Sequence, residues 1–206
     1  MSDSTDRARS PLRLRAGATL GAIALIGAAF AVGVGLARAW GSGDRPGDAA
    51  LTVDSPRVVI LKAKRQLHLL DGDRLLRSYP IDLGLEPTGR KRVKGDSRTP
   101  IGSFRVVTKN AGSAYHRFIG IDYPNEEAVR YGLANGLVSA GEAISIRTAL
   151  QEGRRPNWST ALGGGIGIHG HRRSQDWTGG CIAVSDDAIE ELFDVLRLGD
   201  PIEIIE

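Results

Sequence analysis

Residues 16–37 read AGATLGAIALIGAAFAVGVGLA without a single charge, and no other feature limits the fold of this chain more. About 20 consecutive apolar residues cross a bilayer as a helix. No polar face interrupts this stretch, as it would on a surface helix of a globular domain. The segment therefore divides the chain. Residues 1–15 read as a basic tail, 16–38 as a transmembrane signal anchor, 39–55 as a linker and 56–206 as the folded domain. Arg7, Arg9, Arg13 and Arg15 precede the apolar stretch. Basic flanks stay on the cytoplasmic side, so the domain is expected on the outer side. The alternative is a cleaved signal peptide, since Ala37-Arg38-Ala39 suits cleavage after Ala39 and secretion. An ordinary signal core of roughly 7–15 residues is shorter than this one, which favours the anchor. Residues 41–50 (GSGDRPGDAA) are small and polar, as in a flexible linker.

The basic character of the chain belongs to the tail. Residues 1–40 hold five Arg and two Asp, against 27 basic and 24 acidic residues overall. The remainder has 22 of each and no net charge. Such a domain lacks the general electrostatic grip that binding to a nucleic-acid backbone requires. Hydrophobic residues make up 41% of the chain, enough for a globular core and too many for a disordered one.

There is one cysteine, Cys181, so no intramolecular disulfide can form. A lone cysteine in an exported protein is either joined to another chain or a free reactive thiol. A buried inert cysteine is the bland alternative, and an oxidising compartment weakens it.

The pattern from residue 56 onward is short β-branched runs punctuated by turns. Strands are expected at 57–63, 66–70, 74–83, 102–108, 117–122, 166–169, 181–184 and 201–205, with Asp71-Gly72 as a hairpin signal. Residues 84–98 read as a long Gly-, Pro- and Lys/Arg-rich loop. A helix is expected to start at Pro124-Asn125-Glu126-Glu127 and another to cover 142–150. Ser185 offers an N-cap before Ile189, Leu192, Phe193 and Leu196, which fall on one helical face, and Gly199 ends that helix. The fold class is mainly β with a few helices, a sandwich or barrel-like mixed sheet without βαβ units.

A thiol attacks only as thiolate and needs a base or a positive dipole beside it. His169 and His171 lie shortly before Cys181 in a Gly-rich segment. If strands 166–169 and 181–184 pair, an imidazole and the thiol can meet. Gly179 and Gly180 let backbone N–H groups turn toward a substrate carbonyl as an oxyanion hole. A zinc site built from His169, His171 and Cys181 is the competing reading, without a clean fourth ligand. His171 reads equally as a solvated loop residue. Asp176 is either an orienting carboxylate or a turn residue. Trp177 either stacks on a substrate or packs beneath the cysteine loop. The run Arg90, Lys91, Arg92, Lys94 and Arg98 is a solvated loop or a rim that attracts carboxylates.

Ile168-His169-Gly170 followed by Thr178-Gly179-Gly180-Cys181-Ile182 resembles the signature of the YkuD-type L,D-transpeptidases. Thr99-Pro100-Ile101-Gly102-Ser103-Phe104 is similar to that family's Thr-Pro-x-Gly-x-Phe element, with Leu83-Gly84 and Gly95-Asp96 in the loop before it. Asp176-Trp177-Thr178, Ala183-Val184 and Tyr123-Pro124-Asn125 resemble a subgroup with Asp-Trp-Thr-x-Gly-Cys-Ile-Ala. The resemblance covers residues 56–206. Two positions depart from the common pattern. Gly179 replaces a His, whose role is then absent or taken by His171 or His116, and Ala183 stands where many members have Asn or Arg.

The resemblance implies an L,D-transpeptidase mixed β-sandwich catalytic domain at the bacterial cytoplasmic membrane, acting on peptidoglycan stem peptides in the periplasm or outside the cell. It implies Cys181 as nucleophile and His169 as base, with no metal or organic cofactor. Gly170, His171, Trp177, Thr178, Tyr115 and His116 become candidate substrate contacts. A hydrolase on the same fold and a non-catalytic wall-binding module remain as alternatives.

Overall fold

The computed structural model describes residues 51–206. The basic tail, the apolar segment, the cleavage site after Ala39 and most of the linker lie outside the described residues. Among the described residues no helix is long and apolar enough to cross a membrane. Val53 is buried, so packing begins ahead of the first strand.

The strands are β1 (Pro56–Leu61), β2 (Gln66–Asp71), β3 (Arg74–Pro80), β4 (Gly102–Ser113), β5 (His116–Ile121), β6 (Gly167–His169), β7 (Ile182–Ala183) and β8 (Pro201–Ile205). The helices are α1 (Glu126–Ala134), α2 (Ala140–Gln151) and α3 (Asp186–Val195). Alternation decides β1 and β8. Val58, Ile60, Ile202 and Ile204 point inward and their neighbours outward, as a period of two requires. The β2–β3 hairpin turns at Gly72, whose φ of +57° suits a residue without Cβ.

The strands form one sheet in the order β3-β2-β1-β8-β4-β5-β6-β7. Pairing is antiparallel except for β1 with β8 and β6 with β7. The long β4 serves both halves, pairing with β8 through Gly102–Arg105 and with β5 through Val106–Ser113. The sheet curls until its ends meet. Asp82, just past β3, exchanges both backbone hydrogen bonds with Ala183 of β7 at 2.9 Å, and Gly84 bridges Thr178. The expected mixed sandwich thus takes the form of a single curled sheet.

β4 runs further than the sequence suggests. Lys109 to Ser113 (KNAGS) carries no strand pattern, and it is extended because β5 pairs with it across two irregularities. Conversely, α2 begins ahead of residue 142. Ser139 accepts from Glu142 N–H while the Glu142 carboxylate accepts from Ser139 N–H, a reciprocal cap that starts the helix at Ala140. α3 is capped by Ser185 as its sequence predicts. It lays Ile189 and Leu192 on the core, each such side chain stabilising the fold by about 2 kcal/mol.

Candidate active site

The register of β5, β6 and β7 sorts side chains onto two faces. Phe118 pairs with His169, Gly120 with Gly167, Ile168 with Ile182 and His169 with Ala183. Continuing that register places Cys181, one residue before β7, opposite Gly167. Paired residues share a face and neighbours along a strand alternate. Ile119, Ile168 and Ile182 therefore fill the core, all fully buried. Phe118, Gly120, Gly167, His169 and Cys181 lie together on the other face. The two strands expected to bring imidazole and thiol together do pair, and in parallel.

Three glycines shape this face. A Cβ on Gly167 would sit 2.6 Å from the Phe118 ring, and one on Gly164 would sit 2.3 Å from the Trp158 indole. A Cβ on Gly120 would meet both rings. The aromatic rings thus rest directly on the backbone, edge to face with each other at 6.4 Å. The sequence shows the glycine run at 163–165 but contains no signal that Trp158, from the loop after α2, lies over it.

His169 is 3% exposed. Its Nδ1–H donates to the carbonyl of Gly170 at 2.7 Å, which leaves the lone pair on Nε2. Tyr115, at the tip of the β4–β5 hairpin, stacks on the imidazole with ring centroids 4.8 Å apart. Trp177 meets it edge-on at 5.7 Å. Burial, only partly offset by the bond to Gly170, holds the imidazole below its ordinary pKa.

Cys181 is a half-buried free thiol. Its Sγ donates to the Gly165 carbonyl at 3.5 Å rather than to the imidazole. Burial pushes the thiol up to about 11, against the opposing pull of the Gly167 backbone and the Lys91 charge. Both shifts favour a neutral thiol beside a neutral imidazole. Sγ and the imidazole are not hydrogen-bonded to each other, and both shifts run against an imidazolium–thiolate pair at rest.

The turn before the cysteine is fixed by Thr178. Its hydroxyl donates to Cys181 O at 2.7 Å and accepts from Gly180 N–H at 3.1 Å. Gly180 has φ +127°, and a Cβ there would approach Arg98 O at 2.6 Å, so this position admits only glycine. Its N–H is already engaged, which removes it as an oxyanion donor and makes it a shaping residue. The N–H groups of Gly179 and Cys181 have no partner among the described residues and are open to an acceptor. Beneath the turn, buried Thr99 accepts from Gly84 N–H at 3.3 Å, which seats the Thr-Pro-x-Gly element against the cysteine loop.

Other expected contacts are committed elsewhere. Gly170 N–H donates to Tyr115 O, and His171 N–H donates to Asp186 Oδ1 at 2.7 Å. His116 bonds Glu190 at 2.7 Å. His116 and His171 thus face the acids of α3. No atom lies within 4 Å of where a Gly179 Cβ would be, so neither histidine fills the place of the side chain missing there. Asp176 accepts from Arg65 Nη2 at 2.6 Å and from Leu83 N–H at 2.8 Å, a structural tie rather than an imidazole partner. Among the described residues no three His, Cys, Asp or Glu side chains converge as metal ligands. The basic loop is partly paired, with Lys94 and Arg98 lacking an acidic partner among the described residues. Lys91 pairs with Asp96 at 2.7 Å, Arg90 with Glu127 at 2.7 Å, and Arg92 lies over Tyr131 at 4.4 Å.

Comparison with known proteins follows the same outline. Residues 55–204 match the family model described as the YkuD L,D-transpeptidase catalytic domain. No curated protein matches the chain in sequence. Among solved structures, an L,D-transpeptidase from Xylanimonas cellulosilytica is similar with 16% identity and a TM-score of 0.45, over 75% of this chain and 62% of that one. L,D-transpeptidase 1 of Mycobacterium tuberculosis gives 19% and 0.42, over 74% and 62%. The helical cell shape determining protein Pgp2 of Campylobacter jejuni gives 22% and 0.47, over 78% and 52%. The chain thus spans less than two thirds of the length of these structures. With the family model covering nearly all of the described domain, the chain belongs to the YkuD L,D-transpeptidase family.

Proposed function

We propose that the chain is a peptidoglycan L,D-transpeptidase that works through a cysteine thioester. In this reading Cys181 attacks the carbonyl at the L-centre of diaminopimelate, the third residue of a stem tetrapeptide. His169 Nε2 takes the thiol proton as the C–S bond forms. It then gives a proton to the departing amine of the terminal D-Ala as the C–N bond breaks. An acceptor amine attacks the thioester, loses a proton to His169 and releases the thiol. The N–H groups of Gly179 and Cys181 stabilise the oxyanion of each tetrahedral intermediate.

The observation that supports this reading is that β7, which Cys181 directly precedes, pairs in parallel with β6, so that the continued register brings the thiol to the face of His169 beside two unpartnered N–H groups. The test is incubation of the purified protein with disaccharide-tetrapeptides. Dimers that have lost one D-Ala support transpeptidation. Tripeptides alone would make the protein a hydrolase, and unchanged substrate would overturn both. The same reading sets the domain outside the cytoplasm with residues 16–38 as its tether, supported by the charge asymmetry around that segment. Recovery of the protein from the membrane fraction with Met1 to Arg38 retained is expected. A mature chain beginning at Trp40 would overturn the tether.

A further inference from the structure

Two arginines stand over tryptophans at opposite ends of the reactive face. Arg173 Cζ lies 3.8 Å from the centroid of the Trp177 ring, and Arg155 Cζ lies 4.7 Å from that of Trp158. Both arginines are exposed and both tryptophans are half-buried. Neither guanidinium has an acidic or hydrogen-bonding partner among the described residues. Arg90, Arg92 and Arg147 differ, each being turned to a glutamate. Stacking on an indole holds a guanidinium in place while its N–H groups remain open to a ligand.

Their positions relative to the thiol follow from β6. Trp158 rests on Gly164, three residues ahead of that strand, and Trp177 meets His169 at its exit. Cys181 is in register with Gly167, between the two. Gly164 and His169 are five residues apart, and because Gly165 at φ +68° interrupts the extended run ahead of β6, their separation is shorter than the roughly 16 Å of a fully extended segment. That span is within reach of a few residues of extended peptide when two long arginine side chains approach from its ends. One pair therefore flanks the thiol on the imidazole side and the other on the glycine side.

We infer that Arg173 on Trp177 and Arg155 on Trp158 form a two-ended carboxylate clamp that centres an anionic peptide across Cys181. The inference rests on the proposed function, because it concerns the same site and adds to it the charge pattern of the donor. That donor carries a carboxylate on each side of the scissile carbonyl. One leaves with D-Ala, and the other stays with the acyl part on the far centre of diaminopimelate. Arginine bonds a carboxylate through two parallel N–H donors, so each end sets orientation as well as attraction. The neutral balance of the domain gives these two guanidiniums a local role that no general basic field supplies.

The experiment uses the full chain in detergent with Cys181→Ala, so that binding is read without turnover. Three tetrapeptides are compared: the free form, one with the D-Ala carboxylate amidated and one with the diaminopimelate carboxylate amidated. Arg173→Gln and Arg155→Gln are each expected to weaken binding of the free peptide about fivefold. Each is expected to lose its effect on one of the amidated peptides, and a different one for each arginine. In the Cys181 enzyme the same substitutions should raise KM and leave kcat nearly unchanged. Equal weakening of all three peptides, or no weakening of any, would overturn the clamp while leaving the proposed function standing. Failure of every peptide to bind the unsubstituted arginine protein would overturn both.

Discussion

Cys181, one residue ahead of β7, continues the parallel register to the level of Gly167, two positions behind His169, which is level with Ala183. The two side chains are diagonal neighbours on one face, and the thiol bonds the Gly165 carbonyl instead of the ring. Reactivity at rest and reactivity in turnover should then have different determinants. The thiol, raised by burial to about 11, is almost wholly protonated at neutral pH. Alkylation of Cys181 by iodoacetamide should be slow near pH 7 and climb as pH rises toward that value. An ordinary cysteine levels off much earlier, near its usual pKa of about 8.5. A rate profile with that ordinary midpoint would show that the thiol is not desolvated as described.

His169→Ala should lower turnover by about 10²- to 10⁴-fold, the usual contribution of a general base. It should scarcely change the resting alkylation rate, because no thiol–imidazole hydrogen bond exists to be lost. His171→Ala should alter turnover far less, since that residue is turned to Asp186. Steady-state kinetics of the two variants, each checked for folding, decide the point. A larger loss at His171 would move the base to that residue.

The adjacent glycines should respond oppositely to substitution. Gly180→Ala forces a side chain into a left-handed backbone and against Arg98 O, at a cost of about 1–3 kcal/mol. Activity should fall with it because the cysteine turn must move. Gly179 has no neighbour within 4 Å of its missing Cβ, so Gly179→Ala should be nearly neutral in thermal unfolding. A destabilisation at 179 equal to that at 180 would contradict the geometry of the turn.

Asp96 should be the fastening of the 84–98 loop. Burial alone would raise its carboxyl, but the Lys91 ammonium and the N–H groups of Arg92, Val93 and Arg98 outweigh burial and hold it below the usual range. A folded-state pKa below the unfolded one contributes stability that is complete above about pH 4, the unfolded value, and is lost as pH falls through the lower folded value. Asp96→Asn leaves Lys91 buried beside an uncharged partner and should destabilise by about 3 kcal/mol at neutral pH. The difference between the variant and the parent should shrink in acid. Thermal unfolding at pH 7 and pH 3 reads both effects.

Sequence reading recovered those parts of the molecule that local rules determine. Alternation located β1 and β8, Ser185 located the start of α3, and glycine and histidine spacing located the site strands. It stopped where the cause was not local. Lys109 to Ser113 is a strand only because β5 lies beside it. Asp176 is committed to Arg65, which arrives from a turn 111 residues away. Trp158 reaches the reactive face because Gly120, Gly164 and Gly167 leave room for it, and those glycines come from separate segments. The cap joining Ser139 and Glu142 was legible and would have corrected the start of α2.

The joint between Asp82 and Ala183 gives Cys181 a history as well as a place. β7 has only two residues and borders β6 on one side and the returning chain at Asp82 on the other. Joining positions about a hundred residues apart is entropically costly and belongs to the late, slow part of assembling a mainly β chain. The thiol acquires its desolvated setting only when the chain around it has folded, and that joint is part of what holds β7 beside it. Until then Cys181 is an ordinary cysteine, with the acidity and the indiscriminate reactivity of one. Its reactivity therefore reports whether the chain around it has folded.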